Sequence, residues 1–323
     1  MLARLNLGRH MVASTAARRG LSSSRELVDL LNATRAGHSV VWVAPCAQAF
    51  KSRAAASLGS KFVFHNQLVP EYFIGSNVPD LPTTIVVSAQ TVPRQFLEAW
   101  RENCQEEQRL MLVRRGTSLG SIDMNAAAEL GIDVANTPGV NSPHVAKFVV
   151  ETLGLSEPLA DSETAKAVVV GAGSVGQFVI DMMRSAGVEP MVVNRSPESP
   201  SLAIAFRGAT HVAVCAATSS QPIITASHIE QLLAGEKRLI KICSVSRPEA
   251  FSLEAIMMAA QHGDQAQLRF DYGDSILAPT RDQVNQGGVK ANISWSSSAM
   301  ASEACKEDMD EAVLRLLANK RSM

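Results

Sequence analysis

The sequence predicts an α/β protein built on parallel sheets, and three observations carry that expectation. Short apolar runs recur at 39–43, 61–64, 84–88, 110–113, 167–170, 190–193, 211–215 and 239–243, each strand-sized. Stretches with helical apolar spacing lie between many of them, an alternation that calls for crossover connections and not hairpins. One run, Ala167-Val168-Val169-Val170, passes directly into Gly171-Ala172-Gly173-Ser174-Val175-Gly176, a glycine turn joining a strand to a helix.

The length of 323 residues suits two domains of ordinary size. With 46% apolar and 19% charged residues, the composition is that of a soluble globular protein. The net charge of −1 and an aromatic content of 5% argue against nucleic-acid binding. No run reaches membrane-spanning length. Cys46, Cys104, Cys215, Cys243 and Cys305 are far apart, so neither a disulfide framework nor a metal site is expected; Cys215 and Cys243 read as core residues.

In chain order, residues 1–24 stand apart. They hold Arg4, Arg9, Arg18 and Arg19, many Ala and Ser, and no acid, the composition of a mitochondrial transit peptide. A matrix location is the expectation that follows. Without those arginines the formal charge falls from −1 to −5. Residues 25–34 read as a short helix, with Leu27, Leu30 and Leu31 on one side. Strands at 39–43, 61–64 and 84–88 follow, then a helix at 96–105 and a strand at 110–113.

Between 113 and 141 the pattern is more specific. Val113-Arg114-Arg115-Gly116-Thr117-Ser118-Leu119-Gly120-Ser121-Ile122-Asp123 is a strand and glycine turn; a short alanine helix, a strand and Thr137-Pro138-Gly139 come next. Ser142 reads as the N-cap of a helix with Pro143 at its first position. His144 sits beside this start, where a structural role is favoured.

The glycine turn after 170 has a distinct chemistry. Gly171 makes the tight turn, Gly173 lets a pyrophosphate approach the backbone, and Gly176 allows close helix–strand packing. The amides of Ser174 and Val175 at the helix start face the anion. A helical pattern through Phe178, Val179, Met182 and Met183 runs to Gly187.

The 113–141 segment followed by this motif resembles the D-isomer-specific 2-hydroxyacid dehydrogenase family, over most of residues 110–315. The glyoxylate/hydroxypyruvate reductases are the members it most suggests. The resemblance implies two Rossmann-like domains with parallel sheets and a cleft between them. A flavodoxin-like substrate domain would comprise 25–140 plus 300–323, with a returning helix at 302–317, and a dinucleotide-binding domain 141–299. The family's dimer arm looks shortened at 150–165, so a homodimer is possible but not specified.

The second strand of the nucleotide domain should end at Asn194-Arg195-Ser196, 23 residues after Gly171. Asn194 removes the carboxylate that would repel a 2′-phosphate, Arg195 offers a bidentate donor and Ser196 a hydroxyl. NADP is therefore favoured, with NAD the alternative.

On the catalytic side, the strand at 239–243 leads to Ser244-Val245-Ser246-Arg247. By resemblance Arg247 clamps the substrate carboxylate, aided by backbone amides around Gly116, Thr117 and Ser118. Pro248 stands where the family has glycine. The family's catalytic Glu falls on Ile276, leaving Asp274 as the nearby carboxylate. The catalytic His falls on Asn292, before Ile293-Ser294-Trp295. Asn292 cannot titrate but can polarise a ketone oxygen, with Asp274 or water supplying the proton. His228, on a helix expected at 226–233, has no acidic or metal-ligand companion at useful spacing, and His262 lies in a polar turn.

Two readings follow. One is an NAD(P)-dependent oxidoreductase moving hydride between nicotinamide and a small 2-oxo or 2-hydroxy acid. The other is a catalytically impaired dinucleotide-binding homologue acting as a sensor or partner-binding module. A different dinucleotide-fold oxidoreductase would leave 113–141 unexplained.

Overall fold

The structure, a computed structural model, describes residues 40–52, 62–64, 83–88, 90–156, 165–218, 220–234, 238–288 and 293–319. The leader at 1–24, the helix expected at 25–34 and Asn292 lie outside the described residues.

The first sheet contains β1 (Val40–Trp42), β2 (Phe62–Phe64), β3 (Thr84–Val87), β4 (Leu110–Arg114) and β5 (Ile132–Asn136). Their order is β2-β1-β3-β4-β5, every neighbour parallel. This is the doubly wound order of flavodoxin-like domains. Alternation of side chains across the strands divides the core in two. Val41, Ile85, Leu110 and Leu112 face α1 (Arg94–Glu102), through Phe96, Leu97 and Trp100, and α2 (Met124–Glu129), through Ala126 and Ala127. Val40, Trp42, Val86, Met111 and Val113 face the other way, onto Phe50 and onto Val313, Leu314 and Leu317. Those last three belong to α9 (Glu303–Asn319), so the end of the chain covers the first sheet.

Six parallel strands make the second sheet: β6 (Ala167–Val170), β7 (Met191–Val193), β8 (His211–Val214), β9 (Ile240–Ser244), β10 (Ala266–Asp271) and β11 (Ile293–Ser296). They run in the order β11-β10-β9-β8-β6-β7. On one face pack α3 (Ser142–Leu153) and α4 (Ser174–Ser185), through Val149, Leu153, Val179 and Met183. On the other lie α5 (Leu202–Phe206), α6 (Ala226–Leu233), α7 (Leu253–Gln261) and α8 (Asp274–Gln286). Trp295 of β11 stacks on Phe270 of β10, centroids 4.9 Å apart.

Two local expectations change. Ser142 is the first residue inside α3 and not its cap; Asn141 flanks the helix without a side-chain bond. The Gly139 carbonyl, delivered by a turn at φ +77°, already accepts from the Ser142 amide at 3.1 Å, so the coil starts a residue earlier. The segment after Tyr272, where the sequence pattern suggests no helix, is the helix α8. Pro279 inside it hides the helical pattern, while Leu277 and Val284, two turns apart, anchor it.

The chain passes between the sheets near 137–142 and again near 297–302. Beside the first crossing, His144 Nε2 lies 2.7 Å from Asp308 Oδ2 on α9. The pair ties the start of α3 to the helix that covers the first sheet. His144 therefore acts as a link between the two layers.

Candidate functional site

The second sheet reverses its winding at β6, with β7 on one side and β8 through β11 on the other. Ligands of open parallel sheets bind where this reversal opens a crevice at the carboxyl ends of the strands. Gly171 stands at the end of β6 with φ +96° and donates its amide to Val193 O at 2.7 Å. A Cβ there would lie 2.6 Å from Ala216 Cα and 2.7 Å from Ala216 N. Gly176, in the first turn of α4, is tighter still: a Cβ would sit 1.8 Å from the Gly171 carbonyl oxygen. These two glycines are sterically obligatory.

Gly173 differs. It is the residue preceding α4, at φ −76° and ψ −163°, and a Cβ on it would meet nothing within 4 Å. No side chain caps α4 and no acid occupies its first turn. Ser174 is exposed and Val175 half-buried beside it. An exposed, uncapped helix start approached across a bare glycine fits a pyrophosphate. The residues present thus suit a dinucleotide.

The strand β7 leads into Asn194, Arg195 and Ser196, all exposed. Asn194 Oδ1 accepts from the Ser196 amide at 2.7 Å, and its own amide donates to Ser199 Oγ at 2.9 Å. The Ser196 hydroxyl bonds the Glu198 carboxylate, which that bond holds below the usual carboxylate range. Arg195 is left as the cation of this loop, with Glu198 as its carboxylate.

Along the same edge, Ser246 Oγ donates to Ala216 O at 2.6 Å, joining the loop after β9 to the residue that abuts Gly171. Arg247 follows at once, 45% exposed, with Nε 3.4 Å from Glu249 Oε2. Bonding to Glu249 is the main cause that raises the Arg247 pKa above its ordinary range. The pair is long and open to solvent. Pro248 begins a single helical turn through Ala250, which explains how the chain accepts proline there.

At the end of β10, Asp271 is buried and structural. It accepts from Ser296 Oγ at 2.7 Å, Ser298 N at 2.6 Å and Ala299 N at 3.0 Å. Tyr272 comes next, half-buried. Asp274 is 72% exposed and bonds Arg281 Nη1 at 2.8 Å on its own helix, so the structure does not gather it with Arg247. Ile276 is half-buried on the same helix.

The first sheet contributes the loop after β4. Gly116 is buried at φ +131°, and its amide donates to Thr137 Oγ1 at 2.9 Å. It therefore has no donor left for a ligand. Thr117 and Ser118 are exposed. Asn136 Nδ2 holds the Thr117 carbonyl at 2.7 Å, and Thr117 Oγ1 accepts from Gly139 N at 3.2 Å. These bonds tie the loop to the strand end and turn beside it, and the amides of Thr117 and Ser118 have no acceptor among the described residues.

Sequence reasoning missed Arg114, Ala216, Ser246 and Tyr272. Only Arg114 carried a visible signal, as one of two adjacent arginines closing an apolar strand. Among the described residues no group of His, Cys, Asp and Glu could hold a metal ion, and no helix is long and apolar enough to cross a membrane.

Comparison with known proteins places this arrangement. The model of the D-isomer specific 2-hydroxyacid dehydrogenase catalytic domain matches residues 47–322. A hydroxypyruvate reductase from Thermotoga maritima is 26% identical over 143 residues, 38% of this chain and 44% of that protein, so the match spans under half of the relative. The NAD+-bound 3-phosphoglycerate dehydrogenase of Entamoeba histolytica has a similar fold: TM-score 0.65, 16% identity, 89% of this chain and 96% of that one. The NADPH-dependent glyoxylate/hydroxypyruvate reductase of Sinorhizobium meliloti, solved with NADP and malonate, gives a TM-score of 0.58 at 17% identity, covering 85% and 91%. With the family model matching across both sheets and both crossings between them, this chain belongs to the D-isomer specific 2-hydroxyacid dehydrogenase family.

Proposed function

We propose that the protein is an NAD(P)-dependent oxidoreductase that interconverts a small 2-oxo acid and its 2-hydroxy acid, with NADP the preferred cofactor. The observation that carries this reading is the continuity of one edge: Gly171 against Ala216, Ala216 bonded to Ser246, and Arg247 next in the chain. A dinucleotide site and a carboxylate clamp are thereby adjacent. When bound, the nicotinamide supplies or accepts the hydride.

The chain's own residues do the rest. Arg247 presents a planar fork that fixes the substrate carboxylate and so the orientation of its carbonyl. The amides of Thr117 and Ser118 approach the same anion from the first sheet. Asn292 donates a hydrogen bond to the carbonyl oxygen and stabilises the charge that develops there; water provides the proton. Arg195 receives the 2′-phosphate. Family membership and likeness to NAD- and NADP-bound relatives support a nicotinamide cofactor. Residence in the mitochondrial matrix and assembly as a homodimer belong to the same proposal.

A second reading is favoured by one pair of residues. Asn292 and Ile276 stand where the resemblance puts the His and Glu of the proton relay, which fits a dinucleotide-binding homologue without turnover.

Protein starting near residue 24 separates the readings. Quenching or shifting of NADPH fluorescence is expected under both, weakened by Arg195→Ala far more for NADPH than for NADH. Oxidation of NADPH by glyoxylate or hydroxypyruvate, abolished by Arg247→Ala and raised by Asn292→His, establishes the enzyme. Tight NADPH binding with no turnover across a panel of 2-oxo acids establishes the other reading instead.

A further inference from the structure

The amino edge of the second sheet, away from the dinucleotide crevice, carries a cluster of cations. Lys166, Gly208 and Arg238 stand just before β6, β8 and β9, strands that lie side by side. The central one is a glycine at φ +70°, in the turn after α5. A Cβ there would lie 3.5 Å from Lys166 Nζ and 3.6 Å from Arg238 Nη2. Cations from the two flanking strands therefore reach over one bare glycine, no more than about 7 Å apart.

The fold itself gives these two charges no partner. Among the described residues no carboxylate or carbonyl bonds Lys166 Nζ or the Arg238 guanidinium. The main chain beneath them is fixed: the Lys166 amide donates to Thr210 Oγ1 at 3.1 Å, and its carbonyl accepts from Thr210 N at 2.9 Å. Other charges on this edge are placed differently. Lys241 Nζ, on β9, donates to Leu153 O at the end of α3 at 3.4 Å. Glu189 is bonded by Arg184 at 2.6 Å, and Asp264, in the turn before β10, is exposed. Arg207, next to Gly208, adds a third exposed cation.

Two like charges at this range repel each other, and an anion between them turns repulsion into attraction. Charge-assisted bonds of about 2.7–2.9 Å to the oxygens of one phosphate set two nitrogens roughly 5–8 Å apart. The span over Gly208 suits that bridge. The three atoms nearest the missing Cβ all belong to Lys166 and Arg238, so the glycine keeps the space between them open.

We propose that Lys166 and Arg238, meeting over Gly208, form a binding site for a phosphate group. Lysine supplies a point charge and arginine a planar fork, and a tetrahedral dianion presents oxygens to both at once. A carboxylate has two oxygens on one side and bridges less well. The occupant is inorganic phosphate or a phosphate monoester. The site uses no residue of the crevice, so it stands apart from the hydride-transfer reading.

Inorganic phosphate, glycerol phosphate and acetate are titrated into the full chain by calorimetry at constant ionic strength. The pH is about 8, where phosphate is a dianion, and NADPH is saturating so that the crevice is occupied. Wild type is expected to bind phosphate with a Kd of ~1 mM or tighter, at least ~10-fold better than acetate. Its denaturation midpoint should rise with phosphate. Tighter binding of glycerol phosphate identifies a monoester as the occupant, and tighter binding of inorganic phosphate identifies the free ion. Lys166→Gln and Arg238→Gln should each weaken phosphate at least ~10-fold and leave NADPH affinity unchanged. In phosphate-free buffer both variants should be at least as stable as wild type, since each removes one of two like charges. Cations with a structural role would instead leave the variants less stable. No phosphate binding, equal binding of acetate, binding that survives both substitutions, or variants destabilised without phosphate overturns the proposal. A protein that binds no NADPH but loses phosphate on these substitutions retains the site and fails only the crevice reading.

Discussion

The carboxyl edges of the two sheets are built from different materials. On the second sheet the edge is backbone against backbone: Gly171 against Ala216 and Gly176 against the Gly171 carbonyl, with no room for a side chain. On the first sheet it is charge against charge: Arg115 on Asp310, with Arg114 beside them lacking a carboxylate. One edge leaves amides free at a helix start, and the other turns its guanidinium groups inward, Arg115 onto a carboxylate and Arg114 onto a carbonyl. The first is set by sterics, over five residues at Gly176 and against a neighbouring strand's end at Gly171, and the second by groups 195 residues apart.

The largest expected effect is on the charged edge. Asp310→Ala leaves Arg115 buried without its counter-charge and should cost about 3–5 kcal/mol in chemical denaturation. Arg115→Met combined with Asp310→Leu should recover most of that loss. If the single and double variants are equally unstable, the pair does not lock α9 to the first sheet.

The steric edge comes next. Gly176→Ala should destabilise by about 3 kcal/mol or more, because its Cβ meets main chain that can yield only by moving a strand or a helix. Gly173→Ala should stay within about 1 kcal/mol of wild type, yet lose at least ~10-fold in NADPH affinity read by fluorescence, ~1.4 kcal/mol. Loss of stability without loss of affinity at Gly173 would remove that residue from the anion cradle.

A smaller effect tests the interior of the second sheet. Burial, with Lys241 adding, lowers the His211 pKa to about 4. The folded protein then binds fewer protons than the unfolded chain between about pH 4 and the ordinary histidine value of about 6.5. Its contribution is fully present above that value and is lost as pH falls toward 4. His211→Gln should flatten this limb of a denaturation-midpoint profile against pH; an unchanged slope means that His211 is protonated in the fold.

Much of the second sheet was legible because its signals are local. Four consecutive apolar residues make β6, and three glycines at fixed spacing make the turn. A buried strand and an obligatory close contact each constrain residues that are neighbours in sequence. Where a local rule was broken the reading failed: Pro279 concealed α8, and the Gly139 turn moved the start of α3. The site was harder. Arg247 could be placed at a strand end, but its pairing with Glu249 and its connection through Ser246 to Ala216 depend on strands meeting side by side. Asp274 looked like a spare carboxylate until Arg281, two turns along a hidden helix, was seen to bind it.

By itself, then, the sequence determined the strand–helix alternation, the glycine turn and its family, since each is written in spacing over a few residues. Only the tertiary structure decided the fates of Arg114 and Arg115. Arg114 ends the strand and Arg115 follows it, and nothing in their order says which will meet Asp310 and which will be left without a carboxylate. That choice is made when α9 returns across the first sheet and brings a carboxylate from the far end of the chain to one face of β4 and not the other.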